Sequence, residues 1–282
     1  VALLSRYGDK AKLIAGGTDL LVDMKNEKIN PQYLISLMKI TGLSYIAEEG
    51  DVLRIGATTT LRELEESQII EKRYGLISKA VKCLGTVQIR NMATIGGNIC
   101  NAVPSADLPP ALVALNATLK IVGPNGERTM PLEDFFAGVK KTKLSVGELL
   151  KEIIVERPPA RSGTAFIKLS RTEEDLAIVN VAVRITLNED DICREARIVI
   201  GGGVGSTLIR SREAEKLLLG KKMEEELVKR AAEVACTGFS CRPTSIRASP
   251  EYKAEVGRVL VKRALLEALK KAGGVVEDDE RN

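Results

Sequence analysis

Two glycine pairs constrain this chain more than any other feature, because each stands where an apolar stretch gives way to small hydroxylated and amide residues. The first lies in Leu13-Ile14-Ala15-Gly16-Gly17-Thr18-Asp19-Leu20, the second in Ala93-Thr94-Ile95-Gly96-Gly97-Asn98-Ile99-Cys100-Asn101. Glycine lets backbone approach a ligand closely and tolerates positive φ, so successive N–H groups can converge on one anion. A lone Gly-Gly is ordinarily a tight turn. Two of them in one region, the second followed by Ser105-Ala106-Asp107-Leu108-Pro109, read as two loops around a ligand with two negative charges, such as a pyrophosphate. Gly17 and Gly97 are both expected at positive φ.

The 282 residues include no histidine. That removes Ser-His-Asp and Cys-His catalysis, imidazole-held zinc, histidine-ligated haem and a flavin attached through histidine. Cys83, Cys100, Cys193, Cys236 and Cys241 are odd in number and scattered, which argues against a disulfide framework and for a reducing cytoplasm. They also lack iron–sulfur spacing, since no third cysteine follows Cys236 and Cys241. Redox chemistry on this chain therefore needs a bound organic cofactor. Basic and acidic residues (42 and 38) are interspersed and aromatics make up 3%, so neither a basic stripe nor a stacking platform for nucleic acid exists. No apolar run approaches the roughly 18 residues of a membrane span, and no signal segment is expected.

At this length two domains are expected. Strand Lys12–Ala15, helix Asp19–Lys25 and strand Tyr33–Leu37 predict a small parallel α/β unit. Ser44–Ala47 and Val52–Ala57 read as a hairpin, and Thr60 with Glu63 as a capping box opening Leu61–Glu66. An amphipathic helix over Tyr74–Leu84 ends at Gly85. The second glycine loop follows, then a helix over Asp107–Leu115 with prolines in its first turn. Gly123-Pro124-Asn125-Gly126 marks another hairpin, and Leu149–Val155 a further strand.

Arg157-Pro158-Pro159-Ala160-Arg161-Ser162-Gly163 reads as a linker between domains over 1–157 and 164–272, with 273–282 a flexible tail. Strands Thr164–Leu169, Ile178–Leu187 and Ala196–Ile200 precede helices Ser211–Leu219, Met223–Ala235 and Pro250–Ala272. This is an α+β layout, three helices on a three-stranded antiparallel sheet. Gly201-Gly202-Gly203-Val204-Gly205-Ser206 imitates a phosphate loop, but helices rather than another parallel strand follow, so it reads as a structural turn.

Several segments together resemble one family. They are the two glycine pairs in this order, Gln88-Ile89-Arg90-Asn91, Ser105–Pro109, Phe166-Ile167-Lys168-Leu169-Ser170-Arg171, Asp175-Leu176-Ala177-Ile178-Val179 and Glu251-Tyr252-Lys253. The chain resembles the FAD-binding medium subunit of the molybdenum hydroxylases, which include carbon monoxide, xanthine, aldehyde and nicotinate dehydrogenases. The resemblance runs nearly end to end. It implies a two-subdomain FAD-binding domain of the vanillyl-alcohol-oxidase-like (PCMH) type, followed by a C-terminal α+β domain of the carbon monoxide dehydrogenase flavoprotein type. It implies that Leu13, Ile14, Ala15, Gly16, Gly17, Thr18, Asp19 and Leu20 wrap the FAD pyrophosphate through backbone amides. Thr94, Ile95, Gly96, Gly97 and Asn98 would form a second cradle, and Asp107 would hold a hydroxyl or polar edge of the cofactor.

Asp107 also reads as an acid complementing a helix N-terminus, and the two roles are compatible. Lys168 matches the family's lysine near the flavin, where a cation would stabilise the anionic reduced form; the alternative is a solvated strand lysine. Phe166 and Leu150 would lie against the flavin or in the core. The cysteine insert of the 4-hydroxybenzoyl-CoA reductase branch is missing, which disfavours that branch. Thr18, where some carbon monoxide dehydrogenase relatives have histidine, leans toward xanthine- or nicotinate-type relatives.

The implied function is electron transfer through non-covalent FAD. A molybdopterin-containing large subunit would oxidise the organic substrate, a 2Fe–2S small subunit would deliver electrons, and NAD or another acceptor would take them. The implied assembly is a heterotrimer doubled to a dimer. No residue of this chain is expected to be catalytic or to bind metal. The alternative is a self-contained flavin oxidoreductase, which without histidine would need a carboxylate, Lys or Tyr as general base.

Overall fold

Parallel strands need a crossover between them, and the first glycine pair sits inside one. Ala11–Ile14 and Tyr33–Ser36 pair in parallel, with the Leu20–Lys25 helix between them in sequence. The computed structural model describes residues 1–241 and 245–274, and its contacts divide the chain into two units. The first comprises Val1–Arg73, Gly85–Val103 and Asn116–Arg157. The second comprises Tyr74–Leu84, Pro104–Leu115 and the chain from Pro158 onward. Of the tail expected over 273–282, only Gly273 and Gly274 are described; the rest lies outside the described residues.

In the first unit, Ile46–Glu49, Val52–Gly56, Leu149–Glu156, Thr118–Gly123 and Gly126–Pro131 form, in that spatial order, a five-stranded antiparallel sheet. Alternation puts Leu53, Ile55, Leu119, Ile153 and Val155 into the core. The capping box forms as expected: the Thr60 hydroxyl accepts from the Glu63 N–H, and the Glu63 carboxylate accepts from the Thr60 N–H.

In the second unit, Ser162–Leu169, Val179–Leu187 and Cys193–Gly201 are antiparallel. The two-residue strand Ile209–Arg210 joins them, making four strands where three were expected. One sheet face carries Val181, Val183, Ile185, Ile198 and Ile200. It packs with the helices Arg212–Leu218, Glu225–Ala235 and Pro250–Lys271. The helix Leu108–Ala114 also packs on this sheet, and its seven residues are all buried. A helix apolar all round has no solvent side to present. Among the described residues no helix is long and apolar enough to cross a membrane.

Helix Pro250–Lys271 approaches its sheet only because Gly163 has no side chain. A Cβ there would lie 1.9 Å from the Ala268 carbonyl oxygen and 2.4 Å from the Ala272 nitrogen. Gly163→Ala should cost about 1–3 kcal/mol by overpacking. Gly75→Ala, with nothing within 4 Å of the new atom, should be neutral or slightly stabilising. Urea unfolding of the two variants checks the contrast, and equal stabilities would contradict it.

Candidate flavin site

The first glycine pair is a turn, and its backbone donors are unspent. None of the N–H groups from Ala15 through Leu20 donates to an acceptor among the described residues, whereas the adjoining strand and helix are internally bonded. Gly17 has φ of 74°, the left-handed conformation expected there. Gly16 serves the protein: a Cβ on it would lie 1.7 Å from the Met92 carbonyl oxygen. Backbone therefore presses on backbone, and the turn is fixed against the segment that leads into the second pair.

The second pair differs from expectation. Ile95–Asn101 is a helix, capped by the Thr94 hydroxyl, which accepts from the Gly97 N–H at 3.1 Å. Gly97 is not at positive φ, and a Cβ on it would meet only the Thr94 Oγ1, at 2.9 Å. Gly96 is the constrained member, because its Cβ would fall 2.5 Å from the Ala57 carbonyl oxygen. Close helix packing outweighs the low helix propensity of the glycines. The amides here are occupied: Ile95 donates to Thr59 O, Gly96 to Ala57 O and Asn98 to Thr94 O. What remains is a buried acceptor, Asn98 Oδ1, without a partner among the described residues. The two segments thus differ in what they leave unpartnered, one rich in free donors and the other offering a side-chain acceptor.

Arg90 was missed as more than part of a motif. Its guanidinium, 7% exposed with its residue, donates to Glu65 and to the Gly85 carbonyl. It thereby holds the short helix Val87–Met92, whose last carbonyl meets Gly16.

In the second unit the structure joins Asp107 and Lys168 to each other. Lys168 Nζ donates to Asp107 Oδ2 at 2.9 Å and to the carbonyls of Cys83 at 2.6 Å and Glu173 at 3.4 Å. Its side chain is 5% exposed, so the solvated-lysine alternative fails. Asp107 Oδ1 accepts from Asn180 Nδ2 at 2.7 Å. Burial pushes the Asp107 carboxyl up, while Lys168 and Asn180 pull it back. Asp107 occupies the N-cap position of Leu108–Ala114 without a side-chain cap bond. Its carboxylate answers the lysine and the amide instead.

The sequence alone does not single out Asn180, although a polar residue in the mostly apolar Ile178–Leu187, which also holds Arg184 and Thr186, is a signal that it must have a partner. Phe166 is 1% exposed and sits two residues from Lys168 on the same strand. Leu150, 3% exposed, lies in the first unit's sheet opposite Ile121. Both are core residues of their own units. Among the described residues, no group of three or more His, Cys, Asp or Glu side chains could hold a metal ion.

Removing one member of a buried ion pair strands the other, at a cost of about 3–5 kcal/mol, whereas an apolar replacement of both is much less costly. Lys168→Met should therefore destabilise the chain more than Lys168→Met combined with Asp107→Leu. Urea unfolding checks this, and a double variant as unstable as the single would show that the pair does not hold this segment.

Residues 1–158 match the FAD binding domain in molybdopterin dehydrogenase, and residues 164–268 match the CO dehydrogenase flavoprotein C-terminal domain. The chain is 36% identical over 270 residues to subunit alpha of the 6-hydroxypseudooxynicotine dehydrogenase complex of Paenarthrobacter nicotinovorans, covering 96% of this chain and 90% of that one. It is also 36% identical over 266 residues to the carbon monoxide dehydrogenase medium chain of Hydrogenophaga pseudoflava, with 94% and 91% covered. The solved carbon monoxide dehydrogenase of the same organism superposes with a TM-score of 0.92 over 96% of this chain and 93% of that one. On these matches the chain belongs to the molybdopterin dehydrogenase flavoproteins, as an FAD-binding medium subunit of a molybdenum hydroxylase.

Proposed function

We propose that this chain passes electrons from a 2Fe–2S partner subunit, through non-covalently held FAD, to NAD or another acceptor. A molybdopterin-containing partner would oxidise the organic substrate. The observation that carries this reading is the run of unpartnered amides from Ala15 to Leu20, which suits a pyrophosphate. Two relatives are named as parts of larger enzymes, a medium chain and a complex subunit. The five cysteines are free thiols, in keeping with a reducing cytoplasm. We extend the partners to a heterotrimer, doubled by a two-fold axis.

When bound, FAD supplies two-electron and one-electron chemistry that no side chain offers. Of the segment Leu13 to Leu20, Leu13 and Ile14 end the paired strand, and Ala15 to Leu20 would hold the pyrophosphate through their free backbone N–H donors. In the second cradle, Thr94 to Asn98, the amides of Ile95 to Asn98 are already bonded, so the contact would come from Asn98 Oδ1, accepting from a hydroxyl or N–H of the cofactor rather than meeting its phosphates. Asp107 and Lys168 would act on the cofactor as one paired unit, so the local charge is set by the pair rather than by a lone cation. Phe166 and Leu150 would support the site from the core.

The test separates a relay from a self-contained oxidoreductase. The purified chain should bind FAD and leave it oxidised when candidate substrates are added. Reduction should begin when the iron–sulfur and molybdenum chains are supplied. Turnover of an organic substrate by this chain alone with a dye acceptor would overturn the relay reading.

A further inference from the structure

The Gly201–Gly203 turn has partners that the flavin reading does not use. Gly202 and Gly203 adopt φ of 94° and 69°, and both N–H groups donate to the Pro104 carbonyl, at 3.1 and 3.2 Å. Their own carbonyls accept from Lys253 Nζ, at 3.0 and 3.3 Å. Lys253 stands in the first turn of the Pro250–Lys271 helix, where the Ser249 hydroxyl caps the Tyr252 N–H. It is 3% exposed, and among the described residues no carboxylate pairs with it. Lysine is seldom buried without such a pair, and burial lowers its proton affinity.

The same turn reaches the Asp107 segment a second way. Gly201 is the cross-strand neighbour of Asn180, and a Cβ on Gly201 would fall 2.4 Å from Asn180 Oδ1. Asn180 Nδ2 in turn donates to the Ala106 carbonyl at 3.2 Å and to Asp107 Oδ1 at 2.7 Å. The segment from Pro104 to Asp107 is therefore gripped at both ends by one glycine turn. At Pro104 the grip is two amides, and at Asp107 it is an asparagine that fits only because Gly201 lacks a side chain. A turn with two glycines at positive φ is pliable, and the Lys253 ammonium, bridging two consecutive carbonyls, fixes it.

We propose that Lys253 is a positioning residue for the Asp107–Lys168 pair: it holds the Gly202 and Gly203 carbonyls, and so fixes the two amides that set Pro104 and the carboxylate three residues on. The inference rests on the reading that this pair acts on FAD. It predicts that a residue on the C-terminal helix tunes flavin binding without any direct contact with the cofactor.

The experiment compares Lys253→Met, Lys253→Arg, Gly203→Ala and Lys168→Met in the assembled complex. For each it records the melting temperature, the FAD dissociation constant, the visible flavin spectrum and the midpoint potential. Lys253→Met should weaken FAD about tenfold, the equivalent of one charge-assisted hydrogen bond. It should shift the spectrum and potential in the same direction as Lys168→Met, with Lys253→Arg restoring most of the change. Gly203→Ala places a methyl 3.3 Å from Ser105 Oγ and 3.5 Å from Lys253 Nζ, and decides on the same readouts if Lys253→Met fails to fold. If these variants change only the melting temperature while Lys168→Met shifts binding and potential, Lys253 is merely structural and the inference is overturned. If Lys168→Met shifts neither, the flavin reading of the pair falls and the inference falls with it.

Discussion

Gly16 rests on the carbonyl of Met92 at a distance no side chain would permit, and the shape of the first glycine turn depends on that contact. It ties the Ala15–Leu20 turn to the Val87–Met92 helix, which Arg90 anchors to Glu65 and Gly85. The turn is thereby shaped by protein contacts alone, and its N–H groups remain available. A ligand that meets a preformed donor array loses less affinity to ordering, because that entropy is spent on folding the chain. The same economy of side chains recurs at Gly96, which lets its helix lie on the Ala57 carbonyl.

The second unit solves a different problem. A buried carboxylate and a buried ammonium are each expensive to hold, and they are tolerated when each satisfies the other with further hydrogen bonds. Asp107 and Lys168 meet that condition through Asn180 and the Cys83 carbonyl. Lys253 is buried on different terms: among the described residues its hydrogen-bond acceptors are backbone carbonyls. Both ammonium groups bear on the same stretch, Pro104 to Asp107, Lys168 directly at Asp107 and Lys253 through the glycine turn after Cys193–Gly201.

Much of this was legible in the sequence because local chemistry decides it. The capping box at Thr60, the crossover around the first glycine pair and the strand–helix order of the second unit follow from spacing and turn residues. The second pair reads as a loop from its glycines but folds as a helix. Its helix is selected by Ala57, about 40 residues earlier in the chain. The short strand Ile209–Arg210 was hidden by its length. Asp107 and Lys168 each stand out in the sequence, but their pairing is a tertiary contact, and Asn180 joins them because strand register sets it opposite Lys168. Nothing local in Glu251-Tyr252-Lys253 announces that its lysine turns inward to carbonyls 50 residues away.

The two glycine segments differ in their amides, free from Ala15 through Leu20 and occupied at Ile95 through Asn98, so the proposed FAD would meet them differently. Amide hydrogen exchange on the chain, with and without FAD, measures this directly. The Gly96, Gly97 and Asn98 amides should be protected before FAD is added and change little. Those of Ala15 through Leu20 should exchange fast in its absence and slow by an order of magnitude or more when it binds. Unchanged exchange from Ala15 through Leu20 in the flavin-loaded chain would contradict the account.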